Sequence, residues 1–140
     1  MKVFNSKIAY LLLFFVFIGC FNSINQINKN EDELYQNLKK GDITSYNDLK
    51  IIYLDYPPGD FIEIAKYASD SLNYKIASLD VFECYFNKYN FDYDSLHKVD
   101  LCKMSKNDRK DALLYLRKAL KQKVQEAKYY SSLNKPNCND

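Results

Sequence analysis

The sequence predicts an all-α domain of antiparallel helical hairpins, stacked as a short repeat array of about six helices. Three observations carry this. Apolar residues recur at three- and four-residue spacing between residues that start and stop helices. The corners between paired helices resemble one another, and no stretch alternates as a strand would. An apolar segment at the N-terminus ends at Cys20, where the composition turns abruptly polar.

That boundary organises the chain. Lys2 and Lys7 precede an apolar run from Ile8 to Gly19, which reads as a positively charged n-region and the short apolar core of an export signal. A bilayer span needs about 20 apolar residues, more than the run provides. Phe17-Ile18-Gly19-Cys20 resembles the lipobox of bacterial lipoprotein signal peptides. Gly19 and Cys20 fit the pattern; Phe17 and Ile18 depart from it, since Leu and then a small residue are usual there. The resemblance implies diacylglycerol on the Cys20 thiol, cleavage before Cys20, and a palmitate-type anchor in the membrane of a bacterial cell envelope. The alternative is an ordinary secretory signal with a chance cysteine. Expected segments are therefore a signal at 1–19, a lipidated tether at 20–30, a helical domain at 31–134 and a tail at 135–140.

Cleavage changes the electrostatics. The full chain has 20 Lys+Arg and 18 Asp+Glu, and the signal removes two lysines and no acid, so the mature chain is formally neutral. Without a basic surplus, nucleic-acid binding loses its main physical basis. Beyond Cys20 the cysteines are Cys84, Cys102 and Cys138, which outside the cytoplasm allow one disulfide and leave one thiol.

The helical signal starts at Asn30 with Glu31, Asp32 and Glu33, acids suited to a positive helix end. Leu34, Tyr35 and Leu38 give an apolar face, and Gly41 supplies a left-handed stop. Asp42 caps a second helix bearing Tyr46, Leu49, Ile52, Tyr53 and Tyr56, ended by Pro57-Pro58-Gly59. Asp60 and Glu63 suggest a capping box for a third helix with Phe61, Ile64, Ala65, Ala68 and Leu72 inside, stopped at Asn73. The fourth, about Lys75 to Asn87, is apolar on two faces: Ile76, Leu79, Phe82 and Phe86 on one, Ala77, Val81, Cys84 and Tyr85 on the other. Such a helix belongs at the centre of the stack. Regular spacing fails from Lys88 to Met104, an insertion long enough that it should fold back or hold a short helix. Ser105 and Asp108 begin a fifth helix with Ala112, Leu113, Leu116, Ala119 and Leu120 on its core face. Lys121-Gln122-Lys123 turns the chain into a sixth carrying Val124, Ala127, Tyr130 and Leu133, ended by Asn134 and Pro136.

Gly41, Asn73 and Lys123 occupy equivalent corners, spaced 32 and then 50 residues apart, each followed four residues later by Ser45, Ala77 or Ala127. Ala112, Tyr115-Leu116, Ala119 and Ala127 are similar to the pattern of Sel-one-like repeats, relatives of tetratricopeptide repeats. Lys123 stands where that pattern has glycine, so its turn should be strained or loose. The resemblance implies protein–protein interaction rather than catalysis; the alternative is an unrelated six-helix bundle.

No residue set suggests a reaction or a cofactor. Cys84 reads as a buried thiol, and Cys102 near His97 lacks an orienting acid or an oxyanion donor. Zinc on Cys84, His97 and Cys102 would need an irregular spacing, and Asp92, Asp94 and Asp100 do not follow a calcium loop. Cys84–Cys102 is one disulfide to weigh, since it would fasten the insertion to the core. Tyr89, Phe91 and Tyr93 alternate with small polar residues and are the expected partner-binding anchors. The functional expectation is a membrane-anchored module for an unidentified protein partner, one version being an immunity lipoprotein against a toxin. The alternatives are a structural or accessory subunit of an envelope assembly and, last, a thiol-dependent enzyme.

Overall fold

The computed structural model describes residues 30–57, 59–90, 100–133 and 138. Those residues form six α-helices: α1 (residues 30–39), α2 (Ile43–Ile52), α3 (Ile62–Asp70), α4 (Lys75–Asn90), α5 (Lys106–Lys121) and α6 (Gln125–Leu133). Short 3-10 turns lie at Tyr53–Asp55 and Leu101–Lys103, and no strand occurs among the described residues. The architecture is the expected all-α array of helical hairpins.

The three expected corners share one backbone device. Gly41, Asn73 and Lys123 have φ of 93°, 54° and 61°. At the first, the Gly41 N–H donates to the Leu38 carbonyl and the Asp42 N–H to that of Asn37. The third repeats this, Lys123 donating to Leu120 and Val124 to Ala119. Both are Schellman closures, which satisfy the orphan carbonyls of a helix end through a left-handed residue. The Asn73 corner is wider, with the Tyr74 N–H reaching the Ala68 carbonyl. Four residues beyond each corner, Ser45, Ala77 and Ala127 are all buried. Lys123 carries the strain foreseen for a non-glycine there, since the left-handed region crowds its Cβ.

Two of the hairpins are also marked by side-chain caps. The Asp42 carboxylate accepts from the Thr44 N–H at 3.0 Å and the Ser45 hydroxyl at 2.6 Å. The Ser105 hydroxyl accepts from the Asp108 N–H at 3.2 Å. The expected cap at Asp60 does not form: α3 begins at Ile62 behind Phe61, with no side-chain cap. The chain enters α3 instead through Gly59, at φ 110°, whose carbonyl accepts from the Ile62 N–H. Likewise α2 stops at Ile52, and Tyr56 is extended (φ −93°, ψ 162°) and exposed rather than on a helical core face. A residue preceding proline is driven out of the helical region, which accounts for the extended Tyr56 before Pro57.

α4 is central as expected, packing between α3 and α5. Every residue from Ala77 to Phe82 is buried, so more than a full turn is enclosed on all sides. Phe82 meets Phe86 and Tyr130, with centroids 6.2 and 5.0 Å away, and so joins α4 to α6. Burying one such side chain contributes about 1.5–3 kcal/mol. Two details differ from the sequence pattern. Ile76 is exposed while Ser78 and Asp80 take buried places, and α4 runs to Asn90, three residues beyond its expected end. The insertion does return to the core: Leu101 and Met104 are buried around the second 3-10 turn, which Asp100 caps.

Buried polar groups lock the helices in register. Asp80 on α4 accepts from the Tyr46 hydroxyl and the Lys50 ammonium of α2, each at 2.6 Å. Ser69 of α3 and Ser78 of α4 are 2.8 Å apart, and Ser78 also donates to Gln122. Asp70 accepts from Tyr115 and Lys118 of α5.

Candidate functional site

Three of the residues singled out from sequence, Cys20, Phe91 and Tyr93, lie outside the described residues, as does His97. Tyr89 is placed on α4 rather than in the insertion, because the helix continues past Asn87. Its half-buried ring takes Lys88 over one face, and its hydroxyl donates to Asp108 at 2.6 Å. That bond, with the Lys88–Asp108 ion pair at 3.1 Å, ties the end of α4 to the start of α5.

The cysteines follow the expected count but not the weighed pairing. Cys102 is bonded to Cys138, with Cα atoms 5.3 Å apart, and Cys84 is free. Cys84 sits mid-helix, half-buried against the core, whereas Cys102 is exposed on the second 3-10 turn, where Cys138 meets it. Burial, then the carboxylates of Asp80 and Glu83, push the Cys84 thiol up to about 12. It is protonated at neutral pH, and the thiolate is the nucleophilic form. Among the described residues no group of three or more His, Cys, Asp or Glu is placed to hold a metal ion.

A cleft among the described residues was not singled out from sequence. A cleft of about 440 Å³ opens between the Tyr53–Asp55 turn, the proline corner and one side of α4. Its walls are Tyr53, Leu54, Tyr56, Pro57 and Phe61; its polar lining is Lys50, Asp55, Asp80, Glu83 and Asn87. Tyr53 stacks on Tyr56 with centroids 4.9 Å apart and leans on Phe61 at 5.6 Å. Leu54 is 73% exposed at the rim, so apolar surface continues outward from the cleft. Comparison of the chain with protein-family models, curated proteins and solved structures returns no match.

The charged groups at the cleft differ in how well they are satisfied. Asp80 is buried and fully engaged by Tyr46 and Lys50. Burial and the neighbouring Asp80 push the Glu83 carboxyl above its ordinary value. A second cleft, about 230 Å³, lies on the other side of Tyr53, where the tyrosine hydroxyl donates to Glu31 at 2.6 Å. Burial and that carboxylate raise the Tyr53 hydroxyl as well. Asp32, Asp60, Glu63 and Tyr35 also line this smaller cleft. The only sequence signal for the two clefts was the Pro57-Pro58-Gly59 break, which forces the chain away from α2 and leaves its tyrosines on a corner.

Proposed function

We propose that this chain is a lipid-anchored protein of the bacterial cell envelope that acts as a protein–protein interaction module. The Cys102–Cys138 disulfide carries the reading. Such bonds persist in oxidising compartments and are rare in reducing ones, which agrees with an export signal ending at Cys20. Among the described residues no helix is long and apolar enough to cross a membrane. The proposed attachment is the lipid on Cys20. Hydrophobic anchoring gains about 0.8 kcal/mol per buried methylene, and more than one acyl chain makes attachment stable.

The hairpin array supplies a rigid scaffold for recognition. The last turns of α4 lie beside the larger cleft: Asn87 lines that cleft, and the Lys88 side chain lies against Gly59 of its rim. Tyr89, Phe91 and Tyr93 follow Asn87 and Lys88 closely in sequence, and aromatic residues of this kind dominate binding hot spots. An immunity lipoprotein that holds a toxin-directed partner is the specific version of this reading.

Two measurements test it. Wild-type protein recovered from membranes should have the mass of a chain starting at acylated Cys20, and Cys20→Ser should leave the fraction or persist as precursor. Replacing Tyr89, Phe91 and Tyr93 together with Ser should weaken capture of the partner, each hot-spot truncation costing about 2 kcal/mol or more. An unmodified mature N-terminus in the wild type sinks the lipid anchor, and undiminished capture by the triple variant sinks the aromatic contact.

A further inference from the structure

The two clefts divided by Tyr53 carry seven carboxylates against one ammonium, that of Lys50. The excess is regional. Residues 30–90 hold eleven acids and six lysines, whereas residues 100–133 hold nine basic residues and four acids. In the larger cleft Lys50 is bonded to Asp80 at 2.6 Å and also acts on Glu83, so one ammonium is shared among the three lining carboxylates of Asp55, Asp80 and Glu83. The smaller cleft has four carboxylates and no basic lining residue, Lys66 reaching Glu63 at 3.5 Å from outside it.

The walls narrow the ligand class further. A phosphate or carboxylate would meet like charge on both sides of Tyr53. A plain apolar group would bury Glu83 without compensation, at a cost. A planar cation satisfies both demands, because guanidinium stacks on tyrosine faces and pairs with carboxylates through several N–H donors. Tyr53 and Tyr56 offer stacked rings, and the volume lies within the roughly 300–1,000 Å³ of small-ligand pockets. Burial already disfavours the Glu83 carboxylate, so an entering cation relieves an existing cost.

We propose that this acidic face receives a basic segment of the protein partner, with an arginine side chain entering the larger cleft between Tyr56 and Glu83. The proposal rests on the interaction-module reading and specifies the chemistry of the partner.

The test uses the full chain in detergent and calorimetric titration with a short arginine-glycine peptide, beside the same peptide with citrulline for arginine. The arginine peptide should bind at least about tenfold more tightly than the citrulline one. Glu83→Gln should weaken binding about tenfold, and Tyr56→Ser, at an exposed position, should weaken it without disturbing the fold. Asp48→Asn removes the same charge from an exposed position on α2 outside both clefts and should change nothing. Equal affinity for the two peptides, or equal loss in Asp48→Asn and Glu83→Gln, overturns the proposal. So does sedimentation showing that a second copy of the chain occupies the face in a Glu83-dependent dimer. A membrane partner captured equally by wild type and Glu83→Gln leaves the module reading standing and removes this inference. Specific arginine binding without any captured partner does the reverse.

Discussion

The corner residues allow the repeat to be tested energetically. Gly41 and Lys123 close their helices with the same pair of Schellman hydrogen bonds, at φ 93° and 61°. An L-residue in the left-handed region costs roughly 1–2 kcal/mol, while replacing glycine recovers about 0.4–1 kcal/mol by restricting the unfolded chain. A Cβ at Gly41 would meet nothing within 4 Å, so no packing effect obscures the backbone term. Gly41→Ala should therefore destabilise the domain by about 1 kcal/mol. Lys123→Gly should stabilise it by a similar amount, since the same two quantities enter with opposite sign. Asn73→Gly should be close to neutral, because asparagine tolerates this conformation and its side chain accepts a 3.2 Å bond from Gln122 that glycine forfeits. Urea unfolding of the oxidised protein, followed by circular dichroism, reads all three. For a domain of this size 1 kcal/mol corresponds to about 4–8 °C in Tm. A Lys123→Gly variant less stable than wild type would refute the equivalence of the corners.

Other expected outcomes concern the polar contacts and the disulfide. Asp80→Ala strands the buried Tyr46 hydroxyl, whereas Lys50, its side chain 41% exposed, can turn to water; the loss should be about 1–3 kcal/mol, and adding Tyr46→Phe should recover part of it in denaturation. Reducing Cys102–Cys138 opens a loop of sequence separation 36, for which chain entropy sets a stabilisation of about 4 kcal/mol, so thermal melts with and without reductant should differ clearly. Hydrogen bonds from Tyr89 and then Lys88 outweigh burial and hold the Asp108 carboxyl below its ordinary value. Its contribution is complete above the usual carboxylate range near pH 4 and disappears as pH falls through the lowered folded value, so Asp108→Asn should flatten the acid limb of stability against pH. Glu83 has the opposite sign: its folded value is raised, and stability falls as pH rises through the interval from the ordinary glutamate value to the folded one. Glu83→Gln should consequently gain stability at neutral pH, and the gain should vanish below about pH 4 in the same measurement.

Local chemistry made the corners and most of the core legible. Gly41 and Asn73 announce left-handed turns by residue type, whereas Lys123 does so only through Ala119 and Ala127, which flank it in the repeat pattern. The buried arc of α4 was readable as helical spacing, yet Asp80 was not. A lone acid on an apolar helix gives no sign that Tyr46 and Lys50, more than thirty positions earlier, will satisfy it. Ile76 shows the converse, since apolarity states a preference for burial and the neighbouring helices decide whether it is met. At Asp60 the capping residues were present, but the positive φ of Gly59 directed the chain into α3 through a turn and displaced the cap. The disulfide partner of Cys102 depended on where the tail returns, which spacing cannot give. The clefts arise where a proline corner, a 3-10 turn and α4 meet, a junction of three separate segments without a contiguous motif.

Affinity capture from detergent-solubilised membranes tests the interaction module most directly. The full-length protein would be cross-linked in intact cells, purified, and its companions quantified by mass spectrometry against a Cys20→Ser control. The account predicts one envelope protein in near-stoichiometric yield, presenting a basic segment, enriched with the wild type and diminished by Glu83→Gln. Recovery of the acylated chain with no protein enriched over the control would contradict it.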